Sequence, residues 1–240
     1  MNLYGIIIFL STLAAWQFLN KKILTHKETG EWQYLFTILF VFGVAGARIY
    51  HVLDYWQYYS ENFTEIFMLG NGGLGVWGAI IFCLFALFFW SKKHHSSLLS
   101  TTDKLALGLP LAQALGRFAN FVNHEGFGYP SQLPWTQKIP LEFRPTQYMT
   151  SERFHPSWVY ESILSFALFF FLYRYYRKHP QQSSGTYTAL YLIGYGTIRL
   201  LVEFTRFDTW QLGGLKVAQI LSAVSVLLGL FLLAKPRKNC

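Results

Sequence analysis

Repeated apolar runs, several close to the ~20 residues that cross a hydrocarbon core, decide what this chain can fold into. Charged residues make up only 13% of it, where a soluble globular domain carries about a quarter. The chain therefore reads as an all-α polytopic integral membrane protein, one helical domain over residues 1–240. Seven transmembrane helices are expected: Leu3–Leu19, Trp32–Leu53, Val76–Trp90, Leu105–Val122, Ser157–Tyr173, Thr186–Phe204 and Lys216–Leu233. Some are short for a full span, so tilt or local thinning is expected.

Basic residues in the connections sort by side. One side receives Lys21, Lys22, Lys27, Lys92, Lys93, Lys104, Arg174, Arg177, Lys178, Lys235, Arg237 and Lys238; the other receives Lys138, Arg144, Arg153, Arg206 and Lys216. The positive-inside rule puts the first group in the cytoplasm, the amino end outside and the carboxyl end inside. The net charge of +8 is thus a membrane-anchor pattern, not a nucleic-acid surface. Met1 to Trp16 has no basic flank before its apolar run, so it reads as a first helix, not a cleavable signal. Outer connections are expected near residues 54–75 and 123–156. The first holds Tyr55, Trp56, Tyr58, Tyr59 and Phe63 with no basic residue, as suits an amphipathic segment in the headgroup layer. The second, rich in proline, reads as an ordered outer arm. Cys83 and Cys240 form no metal spacing and make a poor disulfide pair, and neither is placed as a nucleophile.

Three arginines remain inside helices: Arg48, Arg117 and Arg199. At ~1.5 Å per residue each lies about 18–24 Å from the cytoplasmic start of its helix. Ionisable groups at such depth cost at least ~2.5 kcal/mol each and mark function by default. Three cations at one level suit an anion from the outer leaflet, most simply a lipid phosphate, which arginine grips with a planar fork; snorkelling to the headgroups is the alternative. Tyr195, Arg199, Glu203 and Arg206 share an arc of about 80° on one helix, and Arg199 with Glu203 is an i, i+4 pair, functional or simply structural. His51 shares a face with Arg48. Arg117 shares one with Asn120. Asn120 and Asn123 suit headgroup hydroxyls or a helix cap equally, and Glu125 is either a base or the counter-ion of Arg117.

The stretch Gly116 to Gly128, G-R-x-x-N-F-x-N-x-E-x-x-G, resembles the signature of the prolipoprotein diacylglyceryl transferase family. Other motifs are similar: Tyr4-Gly5, Gly46-Ala47-Arg48, the glycine-rich run Gly72 to Gly78, Asp103, His155-Pro156-Ser157 with Tyr160-Glu161, and Tyr195, Arg199, Glu203 and Arg206. One position departs. Many members carry a histidine proposed to act in catalysis where this chain has Trp77; tryptophan occurs there in some branches.

The resemblance implies transfer of the diacylglyceryl group of phosphatidylglycerol to the lipobox cysteine of a prolipoprotein, at the outer leaflet of the bacterial cytoplasmic membrane. A thioether forms and glycerol phosphate leaves, the first step of lipoprotein maturation. The expected partners are therefore phosphatidylglycerol, the prolipoprotein and membrane lipids, with no nucleic acid, cofactor or metal. Arg117, Glu125, Arg199 and Glu203 are the expected catalytic residues. Arg117, Asn120, Asn123, Tyr195, Arg199, Arg206, Tyr4 and Arg48 are expected to bind phosphatidylglycerol. The thiol proton goes to Glu125 or to a nearby histidine, His51 or His124. The rival readings are a catalytically silent lipid-binding relative, made thinkable by Trp77, and an anion-handling transporter. The transporter predicts polar residues continuing to the cytoplasmic side, where the helices are apolar, and no inverted repeat is visible.

Overall fold

The computed structural model describes residues 3–69, 72–207 and 209–234. Among these, nine α-helices carry the fold: α1 Leu3–Lys22, α2 His26–Asp54, α3 Trp56–Glu61, α4 Val76–Lys93, α5 Leu98–Gly116, α6 Phe118–Val122, α7 Ser157–Lys178, α8 Thr186–Glu203 and α9 Val217–Ala234. Four two-residue strands form two small antiparallel ladders, β1 Gln137–Lys138 with β2 Arg153–Phe154, and β3 Gln211–Leu212 with β4 Leu215–Lys216. Among the described residues, five spans are long and apolar enough to cross a membrane: α1, α2, α4, α9, and α5 with α6 taken together. The protein is an all-α polytopic membrane protein. Helices α7 and α8 are as long as spans but carry buried polar residues that lower their apolarity. Expected features at Met1, Asn2, Lys235, Arg237, Lys238 and Cys240 lie outside the described residues, as do Gly70 and Asn71 of the first outer connection.

Several boundaries differ from the sequence reading. α2 starts at His26, not Trp32, because Thr25 and Glu28 form a capping box: the Thr25 N–H donates to Glu28 Oε2 at 3.0 Å. α5 starts at Leu98, so the polar run that reads as a loop is its first turns. The expected single helix Leu105–Val122 breaks at Arg117. The Arg117 N–H still bonds Gln113 O at 3.1 Å, but the Asn120 N–H bonds Arg117 O, an i, i+3 bond that opens a tighter turn.

The described residues form two compact units, Asn20–Thr101 and Leu3–Leu19 with the chain from Thr102. In the first, α2 and α4 cross in backbone contact. A Cβ on Gly46 would lie 2.5 Å from Gly78 O, and one on Gly78 would lie 2.0 Å from Gly46 O. Small residues at such crossings let helices pack closely in lipid.

In the second unit α8 packs on α9 through Gly196 and Gly229, with Ser225 Oγ donating to Leu192 O at 3.0 Å. Phe18 of α1 sits edge-on to Phe169 and Tyr173 of α7. Buried Asp103 caps α8, accepting from the Gly185 and Thr188 N–H groups and the Thr188 hydroxyl. The arm 123–156 has its own core, Phe127, Ile139 and Phe154, with Tyr148 and Phe207 against it. That core and the β1–β2 ladder give the proline-rich segment its order.

Candidate functional site

The second unit gathers charge around one carboxylate. Glu161, one turn into α7, is 1% exposed. Its Oε1 accepts from Arg117 Nη2 at 2.5 Å and from the Tyr195 hydroxyl at 2.8 Å. Its Oε2 accepts from Arg199 Nη1 at 2.9 Å. Arg199 Nη2 donates onward to Glu203 Oε2 at 3.1 Å, across one turn of α8. Two guanidiniums from different helices thus share a buried anion. A buried ion pair persists only when its remaining hydrogen-bonding capacity is met, and the Tyr195 hydroxyl supplies part of that here.

The two arginines keep donors in hand. Arg117 Nη1 makes only a long contact, 3.5 Å, to Asn120 Oδ1, and neither Nε donates to an acceptor among the described residues. Both side chains retain some exposure, 23% for Arg117 and 16% for Arg199. Glu203 is fully buried, and its Oε1 has no partner among the described residues. The cluster is therefore rigid on its protein side and still holds N–H groups able to meet an oxyanion.

The sequence-predicted residues fall in three places. Arg117, Tyr195, Arg199 and Glu203 form the cluster. Asn120, Glu125 and Tyr4 border it: Asn120 Nδ2 donates to Glu125 Oε1 at 2.9 Å, and Tyr4 on α1 is within electrostatic reach of Glu125 and Arg117. Arg117 pairs with Glu161, while Glu125 accepts from the Asn120 amide. Asn123 is the exposed C-cap of α6. His124 has φ 50°, its ring lies 4.7 Å from that of Phe143, and its Nδ1 is buried with no partner among the described residues. Arg206 closes α8 through its backbone: Lys216 Nζ bonds the carbonyls of both Glu203 and Arg206.

The third place is the other unit. Arg48, expected among the phosphate-binding cations, directs its guanidinium at backbone carbonyls instead. His51 packs on Tyr55 and Tyr59, with ring centroids 4.6 and 5.9 Å away. Trp77 stands in the first turn of α4, partly exposed.

Glu161 and Lys216 were not among the expected site residues. A signal for Glu161 was present: a lone carboxylate in an apolar helix of a protein with intramembrane arginines is a counter-charge to look for.

A family model of prolipoprotein diacylglyceryl transferase matches residues 1–235. Relatives named phosphatidylglycerol–prolipoprotein diacylglyceryl transferase are similar over most of the chain. The Fervidobacterium nodosum protein is 39% identical over 190 residues, 79% of this chain and 65% of its own length. The Synechococcus elongatus protein is 36% identical, covering 80% of this chain and 68% of its own. That of Acaryochloris marina is 32% identical over 229 residues, 95% and 83%. The match thus spans just under two thirds of the Fervidobacterium relative. By the extent of that family match, the chain belongs to the prolipoprotein diacylglyceryl transferase family.

Proposed function

We propose that this protein transfers the diacylglyceryl group of phosphatidylglycerol to the lipobox cysteine thiol of a prolipoprotein. The thiolate sulfur attacks the glyceryl carbon that bears the phosphate. A carbon–sulfur bond forms, the carbon–oxygen bond breaks, and its electron pair leaves with glycerol phosphate. The nucleophile belongs to the substrate, in keeping with Cys83, which lies within α4 and donates to Leu39 O at 3.4 Å.

The observation that carries this reading is the pair of guanidiniums held on Glu161 with N–H groups still available. Charge grows on the phosphate oxygens as the carbon–oxygen bond breaks. In a dry site, donors fixed in advance stabilise that charge, and losing one typically costs about 3–4 kcal/mol. Arg117 and Arg199 meet the phosphate, Asn120 and Tyr195 orient the headgroup, and Glu203 holds Arg199 in place. A free thiol has a pKa near ~8.5 and is only a few per cent ionised at neutral pH. Glu125, exposed and oriented by Asn120, takes the proton; His51 and His124 are the alternatives. In this reading α7 and α8 also cross the bilayer with their polar residues turned inward. The amino end is outside, and the site opens to the outer leaflet.

The test is protein in nanodiscs with labelled phosphatidylglycerol and a lipobox peptide. The peptide gains the mass of a diacylglyceryl group, and Arg117→Ala and Arg199→Ala each abolish most of the gain. Full activity in both variants rejects the assignment. The base is tested by pH–rate profiles of Glu125→Gln, His51→Ala and His124→Ala; a base assignment fails if its variant keeps the parent profile and rate.

A further inference from the structure

Arg48 is 7% exposed, and its guanidinium is surrounded by main-chain oxygens. Nε donates to Ile66 O at 2.9 Å, Nη1 to Gly72 O at 2.8 Å and Gly73 O at 3.0 Å, and Nη2 to Glu65 O and, at 3.5 Å, Met68 O. The Tyr59 ring lies across it, 5.1 Å from Cζ to the centroid. Arginine has five N–H donors; four meet carbonyls at hydrogen-bonding distance and the fifth faces Met68 O at 3.5 Å.

Those carbonyls belong to the connection between α2 and α4, which after α3 includes a short 3-10 turn, Phe63–Phe67. Both flanking helices are candidate spans, they cross at Gly46 and Gly78, and the Gly75 N–H bonds Ala47 O at 2.9 Å. Covalent geometry therefore keeps the connection at the bilayer surface. Its apolar side chains point outward: Phe63 is 59% exposed and Phe67 85%, with Met68 and Leu69 about half exposed. Irregular backbone at membrane depth is tolerated only where its polar groups are satisfied by protein or water. A buried arginine with five donors does for these carbonyls what water does for an ordinary loop.

We infer that Arg48 is a positioning residue: by bonding the carbonyls of Glu65, Ile66, Met68, Gly72 and Gly73 it seats the α2–α4 connection in the interfacial layer of a phospholipid monolayer, with Phe63, Phe67, Met68 and Leu69 in lipid. The occupant of this apolar face is lipid because the segment cannot leave the bilayer surface. Aromatic and aliphatic side chains with no basic residue between 54 and 74 suit acyl-chain contact.

Two neighbouring glycines allow a controlled test. Gly72 has φ +85° with open space where a Cβ would stand. Gly73 has φ +73°, and its Cβ would lie 2.5 Å from Arg48 Nη1 and 2.6 Å from His51 Cδ2. Alanine meets the same left-handed penalty at both sites, but only Gly73→Ala displaces Arg48.

The experiment places a bimane fluorophore at Phe67→Cys in a Cys83→Ser, Cys240→Ser background, in nanodiscs carrying nitroxide-labelled lipids. With Arg48 intact, shallow nitroxides quench the label and iodide does not. A label quenched by iodide and untouched by lipid nitroxide overturns the inference, and this reading needs no change at Arg48. Arg48→Lys and Gly73→Ala are expected to raise iodide quenching at least fivefold, with Gly72→Ala within twofold of the parent. In all three the apparent KM for phosphatidylglycerol stays within threefold. Equal effects of the two glycine variants overturn the role of Arg48. So does a tenfold rise in KM for Arg48→Lys with an unmoved label, the signature of a headgroup ligand.

Discussion

Replacing Glu161 with glutamine tests how much of the site depends on one charge. Oε1 of Glu161 serves both Arg117 and Tyr195, and Oε2 serves Arg199. The amide is best satisfied with its oxygen at the Oε1 position, which leaves an NH2 group facing Arg199 Nη1, donor against donor. Arg199 then turns toward Glu203, its other partner, and away from Arg117. Removing one partner of a buried ion pair costs about 3–5 kcal/mol of stability. A displaced phosphate donor costs a further factor of about 10²–10³ in rate. The prediction is a fall in kcat of about 100-fold, with a smaller change in KM because phosphate charge is greatest in the transition state. Steady-state transfer of labelled diacylglyceryl to a lipobox peptide, with thermal unfolding measured on the same preparation, separates the two effects. A variant that keeps kcat within threefold refutes the claim that Glu161 sets the arginine geometry.

Other consequences follow from particular contacts. Gly128→Ala sets a Cβ 2.0 Å from Thr205 O and 2.6 Å from Ser157 Oγ, so docking of the arm loosens by about 1–3 kcal/mol; limited proteolysis between residues 129 and 153 should quicken. Asp103→Ala removes the cap of α8, lowering stability by about 1–2 kcal/mol with transfer per folded molecule unchanged, as seen by melting and activity on one sample. Tyr58 donates to Glu65 Oε2 at 2.8 Å, and that bond favours the neutral phenol and raises its pKa above 10. The bond's contribution is present below the unfolded value and is lost as pH rises through the folded one. Phenolate absorbance, taken as the difference between the parent and Tyr58→Phe, should show the raised midpoint, and Glu65→Gln should return it to about 10.

The arginines of the site were legible because charge in an apolar helix stands out, and depth can be counted along a helix. Depth says nothing about which way a side chain points across the membrane plane. Arg48 matched Arg117 and Arg199 in depth and was grouped with them, yet it faces carbonyls of its own connection. Glu161 stands out in the sequence only as part of a motif, because its partners come from the α5–α6 break and α8, and helix pairing is not written in local periodicity. The i, i+4 pair Arg199–Glu203 was legible because helix geometry alone brings the two together. The early starts of α2 and α5 were hidden by polar residues that read as loop, although the capping box at Thr25 was a visible start signal. The arm's core of Phe127, Ile139 and Phe154 was hidden among prolines, because its order comes from contacts distant in sequence.

The central claim is that Arg117 and Arg199 act as one phosphate-handling unit through Glu161. A double-mutant cycle on kcat/KM with Arg117→Ala, Arg199→Ala and the double variant tests it most directly. The single losses should fail to add, with a coupling of about 1–3 kcal/mol, because removing either arginine already disturbs the carboxylate that seats the other. Losses that add to within about 0.5 kcal/mol would mean two independent groups and would contradict the account.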